Sequence, residues 1–509
     1  MDKKRIAPGF LQNNIYRFIH MALSQLGGII FTIIIARVLG PEDFGVYVLA
    51  LSFALVLIAL GELGINEATI RYISLNQKNL KKAKSYFMYL LKIKILSSFI
   101  LSLILILLSK FLAYFYNEPK LFFPALIAGG YIFFYSLIQM IPAIFVGFED
   151  VKFITYKELV FQLSRLLLIP IIFVLSPVFI IASPIFLAII ASIIGLIFSI
   201  ICIKKNYPEF FKSKASKFDK KELFSFMKYL SIGSLSILFL LYADILILGK
   251  FVELEFLGFY KAATSIILMA SSFLTLTMVL YPILTKLNKK KIRKIFDVLL
   301  YYSFMISIPL TIGVIFMGNA LIRVLFGQDY LLAAIPLYGL ALLIFILPLE
   351  EMFRTLINSK GESKLTAKIM MIASILNILL NFIFIYVFLL MFKQPIYAAL
   401  GVGIATTLSR SFVLINLVIT SKRKFNITIT PKYIIKPLIA SFGMVLFLIY
   451  FNSLIGETGS ISLMIIELIL AVLIYFILLF LIKGVSKQEF NYILGLFKEN
   501  LKKNSEKTN

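Results

Sequence analysis

The sequence predicts an all-α integral membrane protein, and three observations support this fold class. The chain has 509 residues, of which 61% are hydrophobic and only 15% charged, and its mean hydropathy is +0.99. Soluble domains carry about 25% charged residues, and a chain of this size has too little interior to hide so much apolar surface. The apolar residues form runs of about 20 or more, which cross a bilayer as helices and are too long for barrel strands.

Fourteen such runs follow one another along the chain, which predicts about 14 transmembrane helices. The predicted spans lie at residues 15–37, 43–65, 86–109, 121–146, 153–176, 178–203, 226–249, 257–284, 295–317, 333–357, 365–391, 396–420, 435–455 and 461–483.

The basic residues predict the orientation of these spans. The net charge is +26, and roughly 35 of the 51 lysines and arginines fall in every second loop or at the two ends of the chain, as expected for segments held on the cytoplasmic side. We therefore predict a multi-pass protein of the cell (cytoplasmic or inner) membrane with both termini cytoplasmic. The few basic residues in the opposite loops are Arg37, Lys110, Lys120, Lys250, Arg323 and Lys393.

An internal repeat divides the first twelve spans into two halves. The corner "ARVLGPEDFGVYVLA" (36–50) is repeated in "LGKFVELEFLGFYKAA" (248–263), and Gly45 and Gly258 lie about 213 positions apart. Each corner joins the first and second span of a six-span group, and an even number of spans gives both groups the same orientation. Carriers with two lobes are built from such parallel repeats, with the substrate path between them.

This repeat sets the predicted domain organisation. We expect an N-terminal six-helix lobe (1–205), a cytoplasmic basic linker (206–225), a C-terminal six-helix lobe (226–420), two further helices (421–483) and a basic amphipathic tail on the membrane surface (484–509).

The first corner, together with "LGELGINEATIRYIS" at 60–74, resembles the polysaccharide-type lipid-linked oligosaccharide flippases (Wzx-like proteins) of the multidrug/oligosaccharidyl-lipid/polysaccharide (MOP) exporter superfamily. The resemblance implies two lobes in a V around a central cavity. It also implies that a polyprenyl phosphate or pyrophosphate carrying an oligosaccharide is turned from the inner to the outer leaflet by alternating access, for surface glycan synthesis. The implied partners are this lipid, membrane lipids and glycan-assembly proteins, and not nucleic acid.

Two arginines near the middle of their spans, Arg165 and Arg410, are the first candidates for substrate binding. The sequence shows no acid at that depth, and an unpaired arginine at the bilayer centre costs at least about 2.5–3.5 kcal/mol. Such an arginine faces either a hydrated cavity or an anion, or else bonds to backbone carbonyls at a kinked helix. Because a guanidinium binds two phosphate oxygens at once, we predict an anionic headgroup site formed by Arg17, Arg165 and Arg410.

Polar residues at helical spacing accompany these arginines. On the first span they form one face with Arg17, which either lines the cavity or packs closely against a neighbour, with Arg17 paired to Glu62. The predicted polar lining of the cavity comprises His20, Ser24, Gln162, Asn377 and Asn381.

Five other charged residues are candidates for a coupling ion or for structural ion pairs. Asp244 and Lys261 lie at matching depths on spans 7 and 8, which favours a structural pair. Glu350 and Glu351 precede Arg354 by four and three residues, so local pairing leaves one acid over for a coupling cation.

Two other function classes compete with the flippase. A cation-coupled multidrug or metabolite exporter of the same superfamily needs an acid deep in the cavity, whereas the charges found there are positive. A membrane glycan polymerase needs acids or bases on loops, and the outer loops offer almost none. We predict a carrier that is not an enzyme, with no metal and no cofactor beyond a candidate coupling ion, Na⁺ or H⁺.

Overall fold

The computed structural model describes residues 6–174, 179–212, 216, 218–272, 274, 289–455 and 461–484. The secondary structure of these residues is helical throughout, so the predicted all-α fold is confirmed. The predicted tail beyond residue 484 lies outside the described residues. The helices are α1 (Ile6–Leu60), α2 (Ile65–Leu75), α3 (Leu80–Phe115), α4 (Phe122–Met140), α5 (Ala143–Gly147), α6 (Lys152–Leu167), α7 (Ser183–Asn206), α8 (Pro208–Lys212), α9 (Lys220–Phe251), α10 (Leu254–Ser272), α11 (Lys289–Phe316), α12 (Gly318–Leu325), α13 (Ala334–Leu340), α14 (Leu343–Ser359), α15 (Ser363–Phe392), α16 (Ile396–Phe425), α17 (Lys432–Ile455) and α18 (Ile461–Leu481).

The number of membrane spans is compatible with the prediction. Among the described residues, ten helical stretches are long and apolar enough to cross a membrane, and an eleventh candidate joins Gln328–Leu340 to Leu343–Ser359 across a 45° bend. Helix α1 covers two predicted spans at once. Predicted spans 5 and 7 fall on α6, which is only 16 residues long, and on the more highly charged α9. Length and hydropathy therefore do not by themselves confirm the count of fourteen.

The repeated corner is a helix break, as its glycine and proline predict. Gly40 has φ 73° and ψ 170°, a left-handed value of φ that favours glycine, and Pro41 begins the next helical segment. The acids of the corner pair with the loop before α4: Lys120 Nζ lies 2.7 Å from Glu42 Oε1 and 3.1 Å from Asp43 Oδ1. These ion pairs, in which Lys120 and Glu42 are exposed, connect the loop to the corner.

The two copies of the corner contact each other through their backbones. A Cβ atom on Gly45 would lie 1.7 Å from the carbonyl oxygen of Leu254, and one on Gly258 would lie 2.3 Å from the carbonyl oxygen of Pro41. Gly258 follows Gly45 by 213 positions, and Leu254 follows Pro41 by the same number. The contact is therefore reciprocal between equivalent residues, and only glycine permits backbones to approach this closely.

The contacts divide the chain into two compact units, residues 15–261 and residues 262–509 with 1–14. In the first, α7 packs on α4 and α6, and α3 packs on α4 at Gly129, where a Cβ would lie 3.0 Å from the carbonyl oxygen of Ser102. The predicted lobe and linker boundaries remain predictions. Two residues of the predicted linker (206–225) nevertheless pack within the unit of residues 15–261. Phe218 contacts Tyr86 on α3, and Leu223, near the start of α9, is completely buried.

The second unit is arranged around α16, which packs against α13, α14 and α15. Helix α11 packs on α14 and on α17, and α18 covers α17. The hydroxyl of Tyr475 on α18 donates a 2.6 Å hydrogen bond to the carbonyl oxygen of Met305 on α11. The last two helices are therefore firmly attached to this unit.

Candidate functional site

A polar cavity of about 260 Å³ lies within the unit of residues 15–261, among helices α1, α4 and α6. Each helix contributes polar or aromatic side chains to its wall. The lining residues are His20, Ser24 and Gly28 from α1, Tyr131, Tyr135, Ile138 and Gln139 from α4, and Lys157, Glu158, Phe161, Gln162 and Arg165 from α6.

Helical spacing explains why these residues share one cavity. On α1, His20, Ser24 and Gly28 recur every four residues and therefore lie on one face. The neighbouring Gly27 lets α1 approach α6, because a Cβ there would lie 2.7 Å from Gln162 Oε1. Gly28, in contrast, has nothing within 4 Å of the position of a Cβ and opens onto the cavity.

A continuous chain of hydrogen bonds runs along α6 through the cavity wall. Lys157 Nζ pairs with Glu158 Oε2 at 3.0 Å, and both side chains are buried. Gln162 Nε2 donates to Glu158 Oε1 at 2.7 Å, and Arg165 Nη2 donates to Gln162 Oε1 at 2.6 Å. These hydrogen bonds connect the ion pair of Lys157 and Glu158 at one end to Arg165 at the other.

Arg165 is held in place without a carboxylate partner. Its Nη2 also donates to the carbonyl oxygen of Gly27 at 3.1 Å, and its guanidinium carbon lies 4.1 Å from the ring centroid of Phe31. Its Nε has no hydrogen-bond partner among the described residues. Within the same part of the chain, no carboxylate oxygen lies within 4.0 Å of the guanidinium. The guanidinium thus bonds to a backbone carbonyl and also borders the polar cavity. Its binding of an anion remains a prediction.

The wall opposite α6 is aromatic and carries amide and hydroxyl groups. Tyr131 and Tyr135 stack with ring centroids 4.7 Å apart and an interplanar angle of 26°. Gln139 continues the same face of α4. Tyrosine offers an apolar ring with a polar tip, and an amide both donates and accepts hydrogen bonds. A cavity built this way can hold a small anion at Arg165 and a polyhydroxylated group against the tyrosines.

Arg17 does not share this cavity. It is half-buried on α1, one turn before His20, and is not among the lining residues. The expected alternative, a pair with Glu62, is wrong, because Glu62 Oε2 lies 2.6 Å from Nζ of the fully buried Lys94. Lys94 lies near the middle of α3, and its contact with Glu62 was not predicted.

Arg410 is not an unpaired cation, which corrects the sequence prediction. Its Nη1 donates to Glu350 Oε1 at 3.0 Å, and both residues are buried. The expectation that no acid reaches the depth of Arg410 is wrong. Glu350 lies on α14, which follows a 45° bend that the straight spans drawn from the sequence did not include. Glu351 pairs with Arg354, as local spacing predicted, so Glu350 is the acid left over from that pair.

The two asparagines predicted to line the cavity are buried between helices instead. Asn377 and Asn381 on α15 are both 0% exposed. Asn377 Nδ2 donates to Thr406 Oγ1 on α16 at 3.2 Å, and Asn381 Nδ2 lies 3.4 Å from Asn377 Oδ1. Their polar groups join α15 to α16, and they do not line an open cavity in this structure.

Asp244 has a different contact from the one predicted. Its Oδ2 accepts a 2.7 Å hydrogen bond from the hydroxyl of Tyr260, and both residues are buried. The predicted pairing of Asp244 with Lys261 remains a prediction.

Sequence reasoning missed five polar residues of the cavity wall: Tyr131, Tyr135, Gln139, Lys157 and Glu158. Glu158, Gln162 and Arg165 are spaced by four and three residues, which places them on one face of a helix and could have identified the acid. The tyrosines lie in an apolar run in which periodicity does not separate a packed face from a cavity wall.

Comparisons with known proteins support the predicted resemblance. The family described as "Polysaccharide biosynthesis protein" matches residues 10–288. An uncharacterised membrane protein of Methanocaldococcus jannaschii is 24% identical over 386 residues, which cover 72% of this chain and 74% of that protein.

Solved structures share the fold. The lipid II flippase MurJ in an inward closed conformation superposes with a TM-score of 0.70 at 16% identity, covering 92% of this chain and 98% of that chain. An inward-facing multidrug resistance MATE family transporter of the MOP superfamily superposes with a TM-score of 0.62 at 13% identity. The match covers 80% of this chain and 98% of that chain. At these identities the likeness shows the fold alone.

Proposed function

Because this chain belongs to the family of polysaccharide biosynthesis proteins and has the fold of MOP-superfamily transporters, we propose that it moves a lipid-linked oligosaccharide from the inner to the outer leaflet. The lipid is a polyprenyl phosphate or pyrophosphate, and the movement is alternating access. Family and fold agree with the prediction that the chain is a carrier and not an enzyme. The proposal places both termini in the cytoplasm.

The observation that carries this proposal is the cavity beside Arg165. Sugars cannot cross hydrocarbon unaided, since each unpaired hydroxyl costs several kcal/mol when it leaves water. A flippase must therefore offer a polar path to the glycan and a cation to the phosphate, while the isoprenoid tail stays in lipid. Arg165 supplies a cation that no acid of the described residues neutralises, and Tyr131, Tyr135 and Gln139 supply a surface suited to a sugar.

The cavity argues against the cation-coupled drug exporter. Such a carrier needs an uncompensated acid to attract an organic cation, but the acid in this wall, Glu158, lies 3.0 Å from Nζ of Lys157. Coupling of transport to sodium ions or protons nevertheless belongs to the proposal. It is tested by collapsing each gradient separately in vesicles during transport.

Glycan export in cells that depend on this chain tests the proposed site. Replacing Arg165 by Ala removes the cation and abolishes export, and replacing it by Lys keeps the charge but loses the hydrogen bonds of the guanidinium to Gln162 and Gly27, so export falls without vanishing. The matched control is Arg423→Ala, which removes an exposed arginine in the last turn of α16. Normal export with Arg165→Ala would reject the site.

A further inference from the structure

The cavity contains one net positive charge. The charges of Lys157 and Glu158 cancel each other, and Arg165 adds a single positive charge. His20 adds none at about pH 8, where an imidazole of ordinary pKa is unprotonated. The number of charges at this site matters, because a charge without a partner in a medium of low dielectric constant carries a large desolvation penalty.

Among the residues that the structure describes, no other cation lines this cavity. Lys94 is neutralised by Glu62, and Arg410 by Glu350. Arg354 is neutralised by Glu351. Arg17 stands one turn away from the cavity and is not part of its wall. The charge that faces a ligand in this cavity is therefore that of one guanidinium.

The two lipid linkages that a glycan carrier meets differ in charge by one unit. A phosphodiester between an isoprenoid and a sugar carries one negative charge, and a pyrophosphate diester carries two. One guanidinium neutralises the first completely and donates hydrogen bonds to its free oxygens. It leaves one charge of the second uncompensated.

We propose that the cavity selects lipids in which a single phosphate joins the isoprenoid to the sugar, in preference to pyrophosphate-linked lipids. This inference rests on the proposed function and narrows its substrate class. The phosphate lies at Arg165 and the first sugar lies against Tyr131 and Tyr135, and the net charge of the occupied cavity is zero.

The size of the cavity agrees with this choice. Its volume of about 260 Å³ lies just below the range of about 300–1,000 Å³ that is usual for drug-sized ligands. One sugar ring with one phosphate suits such a volume. A second phosphate would have to displace the sugar from the tyrosines or remain outside the reach of Arg165.

The test compares two synthetic lipids that share the same short isoprenoid and the same hexose and differ only in one phosphate. Equilibrium binding of each radiolabelled lipid to the purified full-length protein is measured at about pH 8, where an imidazole of ordinary pKa is neutral. We expect the monophosphate lipid to bind at least about tenfold more tightly, which corresponds to about 1.4 kcal/mol.

A variant with one added charge tests the physical reason. Gln139 is an exposed residue of the cavity wall, and Gln139→Arg adds a cation that stays protonated. This variant should shift the preference at least about tenfold toward the pyrophosphate lipid. The matched variant Gln139→Met removes the amide without adding charge, and it keeps the wild-type preference whatever happens to the two affinities.

The outcomes separate this inference from the function on which it rests. Equal binding of the two lipids, or tighter binding of the pyrophosphate, would overturn the charge selection while the function stands, provided that Arg165→Gln abolishes binding of both. If Arg165→Gln leaves binding unchanged, or if neither lipid binds, the proposed function itself fails. An unchanged preference in Gln139→Arg would show that charge number does not set the selectivity.

Discussion

At the scale of single residues, the clearest contrast is between Arg165 and Arg410. Both were predicted near the middle of a span without an acid, and from the sequence they looked equivalent. The structure gives Arg410 a buried carboxylate at 3.0 Å and gives Arg165 an amide oxygen, a carbonyl and an aromatic ring. Arg410 is therefore part of a buried ion pair, whereas no acid of the described residues neutralises Arg165.

This contrast predicts different effects on stability. Arg410→Ala leaves Glu350 buried and unpaired, and breaking a buried pair in this way costs about 3–5 kcal/mol. The double variant Arg410→Leu with Glu350→Leu removes both charges and is expected to recover most of that loss. Thermal unfolding of the purified protein in detergent measures both. A double variant as unstable as Arg410→Ala would contradict the assignment of this pair.

The sequence predicted the cavity residues only in part. Ser24, His20 and Gln162 were identified because polar groups at helical spacing are conspicuous in apolar spans, and all three line the cavity. Asn377 and Asn381 have the same pattern but lie between two helices. Periodicity shows which residues share a face, but whether that face meets a cavity or another helix depends on long-range packing.

At the scale of helices, the repeated corner explains why two glycines recur 213 positions apart. The repeat itself could be read from the sequence, and so could the turn at Gly40. The close approach of Gly45 to Leu254 and of Gly258 to Pro41 could not, because it depends on how the two hairpins meet. The reciprocal arrangement follows from the duplication, since two equivalent surfaces in contact make the same contact twice.

Substitution of these glycines should weaken the contact between the hairpins. Gly45→Ala places a methyl group where the backbone oxygen of Leu254 lies, and backbone cannot move aside as a flexible side chain does. We expect a destabilisation of about 1–3 kcal/mol. Gly249→Ala is the control, because its Cβ would make ordinary contacts of 3.4 Å and longer. Equal melting temperatures for the two variants would contradict the close approach.

At the scale of the whole molecule, the distribution of basic residues predicts which ends of the helices face the cytoplasm. The single cysteine, Cys202, makes the orientation simple to test, since Cys202→Ser yields a chain without thiols. In that background, Glu42→Cys should react with a membrane-impermeant maleimide in intact cells, and Lys220→Cys should react only after permeabilisation. Both positions are exposed in the structure. Labelling in the opposite order would reverse the predicted topology.

The fold class followed from composition and run length, because the bilayer restricts a spanning chain of such length to helices. The number of spans was harder to establish, since α6 is short and α14 begins after a bend. These two irregular helices also carry charged side chains, Arg165 on α6 and Glu350 on α14. Burying a charge requires specific partners, and those partners were not visible in the sequence.

The most direct test of the account is transport by the purified protein in vesicles. A fluorescent lipid-linked glycan is placed in both leaflets, and its arrival in the outer leaflet is followed by quenching for wild type, Arg165→Ala and Arg423→Ala. The account predicts that Arg165→Ala slows transfer to the rate of protein-free vesicles, while Arg423→Ala stays close to wild type. Transfer at the wild-type rate by correctly folded Arg165→Ala would contradict the claim that this guanidinium binds the phosphate.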